Sequence, residues 1–143
     1  MAPLVALKFK NYDSYLSLLG TNTHEYKEFG SGSAETRHWV KAWEIFHLHH
    51  NDDGSASFES QAFPNVYLRF SGHDNTVNAQ FGGREWEKFK IVSKLAPFNE
   101  YLGAVGIEST AFPGNFLSIT SNGDVKGAQE FGESEVLEIL VIG

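Results

Sequence analysis

Three groups of residues carry side chains whose types and spacing could do chemistry. The first is HLHHNDD (47–53). Residues two apart on an extended strand share a face, so His47 and His49 point the same way and two imidazoles could approach one ion. Two alternating histidines without a fixed third ligand do not specify a metal site, so neither a metal nor another cofactor is expected. The second group is TRHW (36–39), where Arg37, His38 and Trp39 stand together. A tryptophan ring offers an apolar face to the C–H side of a sugar ring, while arginine and histidine meet hydroxyls. The alternative for Trp39 is a loop hydrophobe that tucks against the core. The third group is a set of polar turns, GTNTHE (20–25), SGHDNT (71–76) and TSNGD (120–124). Asn22, His24, His73, Asp74, Asn75, Asn122 and Asp124 could all hydrogen-bond hydroxyls. Gly, Asn and Asp are also what tight turns need for their own geometry.

Other chemistries lack their residues. The chain has no Cys, which excludes disulfides, thiolate–zinc sites and thiol catalysis. There is no G-x-S-x-G elbow, no phosphate-cradling glycine loop and no H-E-x-x-H pair. No carboxylate pair is set by spacing for glycoside cleavage. A binding protein rather than an enzyme is therefore expected. Eighteen acidic residues against eleven basic ones give a net charge of −7. That balance argues against nucleic acid and against an anionic membrane surface, both of which need clustered Lys and Arg. No apolar run reaches the ~20 residues of a membrane span, so no membrane insertion is expected. The N-terminal MAPLVALKFKNYDSY has neither a basic n-region nor a long apolar h-region. A cytoplasmic or non-classically secreted protein is the corresponding expectation.

The elements that must position these groups are short strands. The sequence has 143 residues, of which 41% are apolar, with 12 Phe, 5 Tyr, 3 Trp and 14 Gly. Helix periodicity is nearly absent, and alternating apolar stretches are joined by turn residues, so an all-β fold is expected. An internal repeat organises it. FESQAFPNVYLRF (58–70) and IESTAFPGNFLSI (107–119) match almost position for position. Each is followed by a polar turn, a Phe-Gly pair (Phe81-Gly82, Phe131-Gly132) and a last strand, EWEKFKIV (85–92) or EVLEILVI (135–142). VALKFKNYDSYLSLLG (5–20), Phe29-Gly30 and AWEIFHL (42–48) fit the same template. The longer spacing after Phe29 places a nine-residue insertion within 31–41. Repeats of about 1–48, 49–93 and 94–143 then form one domain. Leu7/Phe58/Ile107, Tyr15/Tyr67/Phe116, Leu16/Leu68/Leu117 and Phe46/Phe89/Ile139 are the expected core layers. Trp43 and Trp86, at equivalent positions, are expected in the core as well.

Three pseudo-symmetric four-strand units look like a β-trefoil, a six-strand barrel capped by three hairpins. FESQAFPNVYL resembles the signature stretch of interleukin-one-type cytokines, with Arg69-Phe70 standing where a small residue and Thr would follow. The order of strand, AFPNVYL, polar turn, Phe-Gly and WEKFKIV resembles fascin repeats and amaranthin-type agglutinins. The Gln-x-Trp of ricin-type lectins is missing. These resemblances imply a lectin or agglutinin that binds glycans or glycoproteins, with galactose-type sugars favoured by analogy. Arg37, His38, Trp39 and the turn residues would form the site, and a homodimer would supply two sites per particle. The alternative implied is a cytokine-like or fascin-like protein-binding module.

Overall fold

The computed structural model describes residues 2–20, 25–93 and 104–143. Twelve strands follow in chain order: β1 Leu4–Phe9, β2 Ser14–Gly20, β3 Gly32–Arg37, β4 Phe46–His50, β5 Ala56–Ser60, β6 Val66–Phe70, β7 Val77–Phe81, β8 Phe89–Ser93, β9 Ala104–Ser109, β10 Phe116–Ile119, β11 Val125–Ala128 and β12 Leu137–Val141. All pairings are antiparallel. Six strands close a ring through the pairs Val5↔Phe46, Leu48↔Phe58, Ala56↔Phe89, Ile91↔Ile107, Val105↔Leu137 and Leu7↔Ile139. Closure removes the exposed edges of that sheet. The other six strands form the hairpins β2–β3, β6–β7 and β10–β11. The hairpins lock together through the β3–β7 pair Gly32↔Ala79, the Gly127 N–H donating to the Asn75 carbonyl at 3.0 Å, and Thr36 Oγ1 donating to the Gly123 carbonyl at 2.6 Å. This is the β-trefoil arrangement.

The repeat sets the core. Leu7, Phe58 and Ile107 are fully buried, and so are Leu16, Leu68 and Leu117. Phe46 and Phe89 share their layer with Leu137 rather than with Ile139, which is only partly buried. Tyr15, Tyr67 and Phe116 are half-buried, not core. Each immediately precedes a buried leucine on its strand, and the two-residue period turns it to the outer face.

Three carboxylates sit at equivalent places below the fourth strands. Short 3-10 turns at Ala42–Glu44, Glu85–Glu87 and Glu133–Glu135 end in the buried Glu44, Glu87 and Glu135. Each glutamate accepts the backbone N–H three residues earlier, from Lys41 (2.8 Å), Arg84 (2.6 Å) and Gly132 (2.7 Å). The second oxygen of Glu44 accepts from Ser17 Oγ at 2.7 Å, and that of Glu135 accepts from Ser118 Oγ. Glu87 faces Arg69 instead, at 4.0 Å. The turns correct the expectation for two tryptophans. Trp43 and Trp86 occupy equivalent positions in the turns, ahead of the fourth strands and outside the barrel. Trp43 is 41% exposed and Trp86 is half-buried.

The extra length of the first unit also lies elsewhere than 31–41. That stretch is β3 and the ordinary connection to the 3-10 turn. The pair Leu18↔Ala34 encloses fifteen residues, against six between Phe70 and Val77 and five between Ile119 and Val125. Phe29-Gly30 therefore precedes β3, whereas Phe81 is the last residue of β7 and Gly82 follows it.

Candidate functional site

A cleft of about 430 Å³ opens between the end of β3 and the β10–β11 turn. Arg37 and His38 line one wall, Asn122 and Asp124 the other, and Tyr12 closes one end. The walls are tied by the Thr36–Gly123 bond, so the cleft is a seam between the first and third hairpins. Gly123 adopts φ 84°, a left-handed turn conformation that glycine takes without strain. Arg37 is half-buried and already placed: Nη2 pairs with Glu35 at 2.5 Å and Nη1 donates to the Thr36 carbonyl at 2.9 Å. His38 Nδ1 donates to the Asp13 carbonyl at 3.1 Å, which leaves Nε2 as an acceptor when the ring is neutral. Tyr12 is held through its hydroxyl and Ser134 Oγ at 2.8 Å, with its ring 37% exposed. Asn122 and Asp124 are exposed.

A second recess of about 290 Å³ adjoins the first and shares Arg37 with it. Trp39, Lys41 and Trp43 line it. Trp39 is 48% exposed, with Lys41 Nζ 5.2 Å from the ring centroid. Trp43 packs on Phe63, ring centroids 6.0 Å apart, and leaves its other face open. Trp43 was not among the sequence-derived site residues because its repeat position suggested core. The exposure comes from the 3-10 turn, which breaks the strand alternation around it.

The structure thus brings Arg37, His38, Asn122 and Asp124 into one cleft and Trp39 into its neighbour. It does not bring the β6–β7 turn there. His73 is packed between Phe29 (centroids 4.6 Å) and Trp86 (5.1 Å). Asp74 accepts from Thr76 Oγ1 at 2.6 Å and from its N–H at 3.2 Å, and the Thr76 bonds hold its carboxyl below the usual range. Asn75 is left-handed, φ 59°, and its carbonyl takes the Gly127 N–H. These three residues are engaged in turn geometry and packing. Asn22 and His24 lie outside the described residues.

His47 and His49 do share a face, with ring centroids 6.2 Å apart. His49 Nε2, however, is bonded to Glu59 Oε1 at 2.7 Å. Burial alone would raise the Glu59 carboxyl, but the Asn65 N–H and His49 outweigh it and hold it below its ordinary value. Among the described residues no three His, Asp or Glu side chains gather as a metal ion would require.

Comparison with solved structures places this architecture. A mosquitocidal holotoxin aligns with a TM-score of 0.79 at 10% identity, over 100% of this chain and 18% of the toxin chain. SeviL, solved bound to asialo-GM1 saccharide, aligns at 0.75 and 10% identity, over 99% of this chain and 98% of its own. The BEL β-trefoil aligns at 0.75 and 11% identity, over 98% of this chain and 93% of its own. The chain is a β-trefoil. At these identities the likeness speaks for the fold, which hosts many unrelated sites. No protein-family model matches the sequence, and no curated protein sequence matches it.

Proposed function

We propose that this β-trefoil is a non-catalytic glycan-binding protein of lectin type. The observation that carries the reading is the joined pair of recesses around Arg37. One offers the open face of Trp39 beside Trp43; the other offers the polar groups of His38, Asn122 and Asp124. A pyranose has the same two-sided chemistry, an apolar C–H face and a rim of hydroxyls. Ring stacking on Trp39 fixes the sugar plane. Arg37, anchored by Glu35 and the Thr36 carbonyl, is preorganised to meet hydroxyls without further ordering cost. Tyr12 extends the surface toward a second sugar residue. Glu35 is committed to Arg37, which disfavours a role as general acid. SeviL, with this fold over its full length, was solved with a saccharide and supports the same ligand class. Galactose-type glycans are the finer reading.

A glycan array probed with the labelled chain and with Trp39→Ala tests this. Signal confined to related, galactose-terminated glycans and lost in Trp39→Ala at an unchanged melting temperature is expected. A blank array with folded protein would overturn the reading and favour a protein-binding module. Signal kept by the variant would move the stacking face to Trp43 or Tyr12.

A further inference from the structure

A third cleft, of about 300 Å³, lies on another side of the molecule, where the end of β4 meets the chain leading into β8. His49, His50, Arg84 and Lys88 line it together with the hydroxyl-bearing Ser57 and Tyr67, and no carboxylate is part of its wall. The nearby acids are paired with its Lys and His side chains. Lys88 Nζ pairs with Asp53 at 3.0 Å and Glu85 at 3.2 Å, and His49 pairs with Glu59. Arg84 makes no ion pair among the described residues; its guanidinium lies 3.8 Å from the Tyr26 ring centroid. Stacking occupies one face of the guanidinium, and Arg84 stands between this cleft and a recess it lines with Tyr26, Glu85 and Glu87; its N–H edge presents a planar fork of donors. Ser57 Oγ accepts from Asn51 Nδ2 at 3.0 Å, which leaves its own hydrogen to donate elsewhere. Gly83 keeps the wall thin: a Cβ there would stand 3.3 Å from the Tyr67 ring.

We propose that this cleft binds a tetrahedral oxyanion carried as an ester, a sulfate or a phosphate group, with the Arg84 fork as its principal contact. His50, Lys88 and the Ser57 and Tyr67 hydroxyls supply the remaining donors. An Arg84 guanidinium outside any ion pair among the described residues distinguishes this cleft from the one at Arg37, where Glu35 holds the guanidinium and Asp124 would repel an anion. The site is independent of the glycan reading of that first cleft. A saccharide bearing a charged ester would engage it through the ester, and the volume leaves room for the attached ring.

The test is an amide NMR titration of the full chain with sodium sulfate and with inorganic phosphate, against sodium chloride at matched ionic strength. Saturable shifts confined to residues 49–51 and 83–88 are expected with the oxyanions and not with chloride. Arg84→Gln should weaken them about tenfold, the loss of one charge-assisted bond, while the melting temperature holds. Tyr67→Phe, which removes one hydroxyl and no packing, should weaken them less and covers the case in which Arg84→Gln folds poorly. Galactose 6-sulfate and galactose 6-phosphate then separate the two esters by which binds more tightly. Shifts that follow ionic strength alike in all salts would overturn the site, as would saturable shifts untouched in both variants. Trp39→Ala should leave the sulfate response intact, so failure of the glycan reading and failure of this one remain separate.

Discussion

Arg69 occupies the place that Ser17 and Ser118 hold in the other two units, one residue after the buried leucines. It is fully buried, with its guanidinium carbon 4.8 Å from the Trp86 ring centroid. Nη2 donates to the Glu28 carbonyl at 2.7 Å. Gln80, also fully buried, bonds the Lys27 carbonyl and accepts the Lys27 N–H at 3.1 Å. Arg69 and Gln80 therefore tie the longer β2–β3 connection to the second unit, and Phe29 at 72% exposure rides on that anchored segment. Removing a buried charge leaves its partner uncompensated. Arg69→Met should cost about 3–5 kcal/mol in denaturant unfolding, and adding Glu87→Gln should restore much of it. A single substitution near 1 kcal/mol, with nothing restored by the second, would mean that the Arg69–Glu87 attraction contributes little. The sequence carried a trace of this residue, since Arg69-Phe70 breaks the resemblance at that point. Nothing in the sequence said which carbonyls it would reach, because they come from a loop 41 residues away.

At the scale of elements, the repeat was legible because each unit must supply one inward apolar residue at each equivalent strand position. The AFP motifs pinned β5–β6 and β9–β10 in register. What escaped was β3, whose residues GSAETR are at most half-buried and show no apolar alternation. With no strand signal at 32–37, the Phe29-Gly30 pair was matched to Phe81-Gly82 and drew the insertion past it. Cross-strand pairing, which decides register, has no echo in such a two-residue motif. For the site, Arg37, His38 and Trp39 stood out by residue type, whereas Trp43 was hidden by the 3-10 turn. The hairpins also compensate one another in volume. Thr36, Ala79 and Gly127 are equivalent, opposite Leu16, Leu68 and Leu117. Gly127 is the smallest because Phe70 fills the space: a Cβ would stand 2.0 Å from the Phe70 ring. Gly127→Ala should therefore destabilise by about 1–3 kcal/mol. Phe70→Leu, which installs the side chain that Leu18 presents in the first unit, should relieve part of that cost in the double variant. Strict additivity of the two substitutions would show that the ring is not what excludes the methyl group.

For the whole molecule, the carboxylates decide how stability follows pH, and they do not all act in one direction. Hydrogen bonds from Ser55, aided by Lys88, hold the Asp53 carboxyl below its ordinary 3.8, and Thr76 does the same for Asp74. Glu59 is lowered from 4.5 against its own burial. A lowered group contributes stability that is present above its unfolded value and lost as pH falls through the folded one. The wild-type melting temperature should therefore drop on acidification from about pH 5 to about pH 3. Glu87 runs the other way. Burial raises its carboxyl above 4.5, with the Arg84 N–H and Arg69 opposing. Its contribution is complete below 4.5 and is lost as pH rises through the raised value. Glu87→Gln keeps an oxygen for the Arg84 N–H and has no proton to lose, so it escapes that loss. The difference in melting temperature, variant minus wild type, should thus grow between about pH 4 and about pH 7. Thermal melts of both proteins across that range check it. A difference that shrank with rising pH would mean that Arg69 more than cancels the burial of Glu87, and the pair would then stabilise the fold as an ion pair rather than tolerate a buried acid.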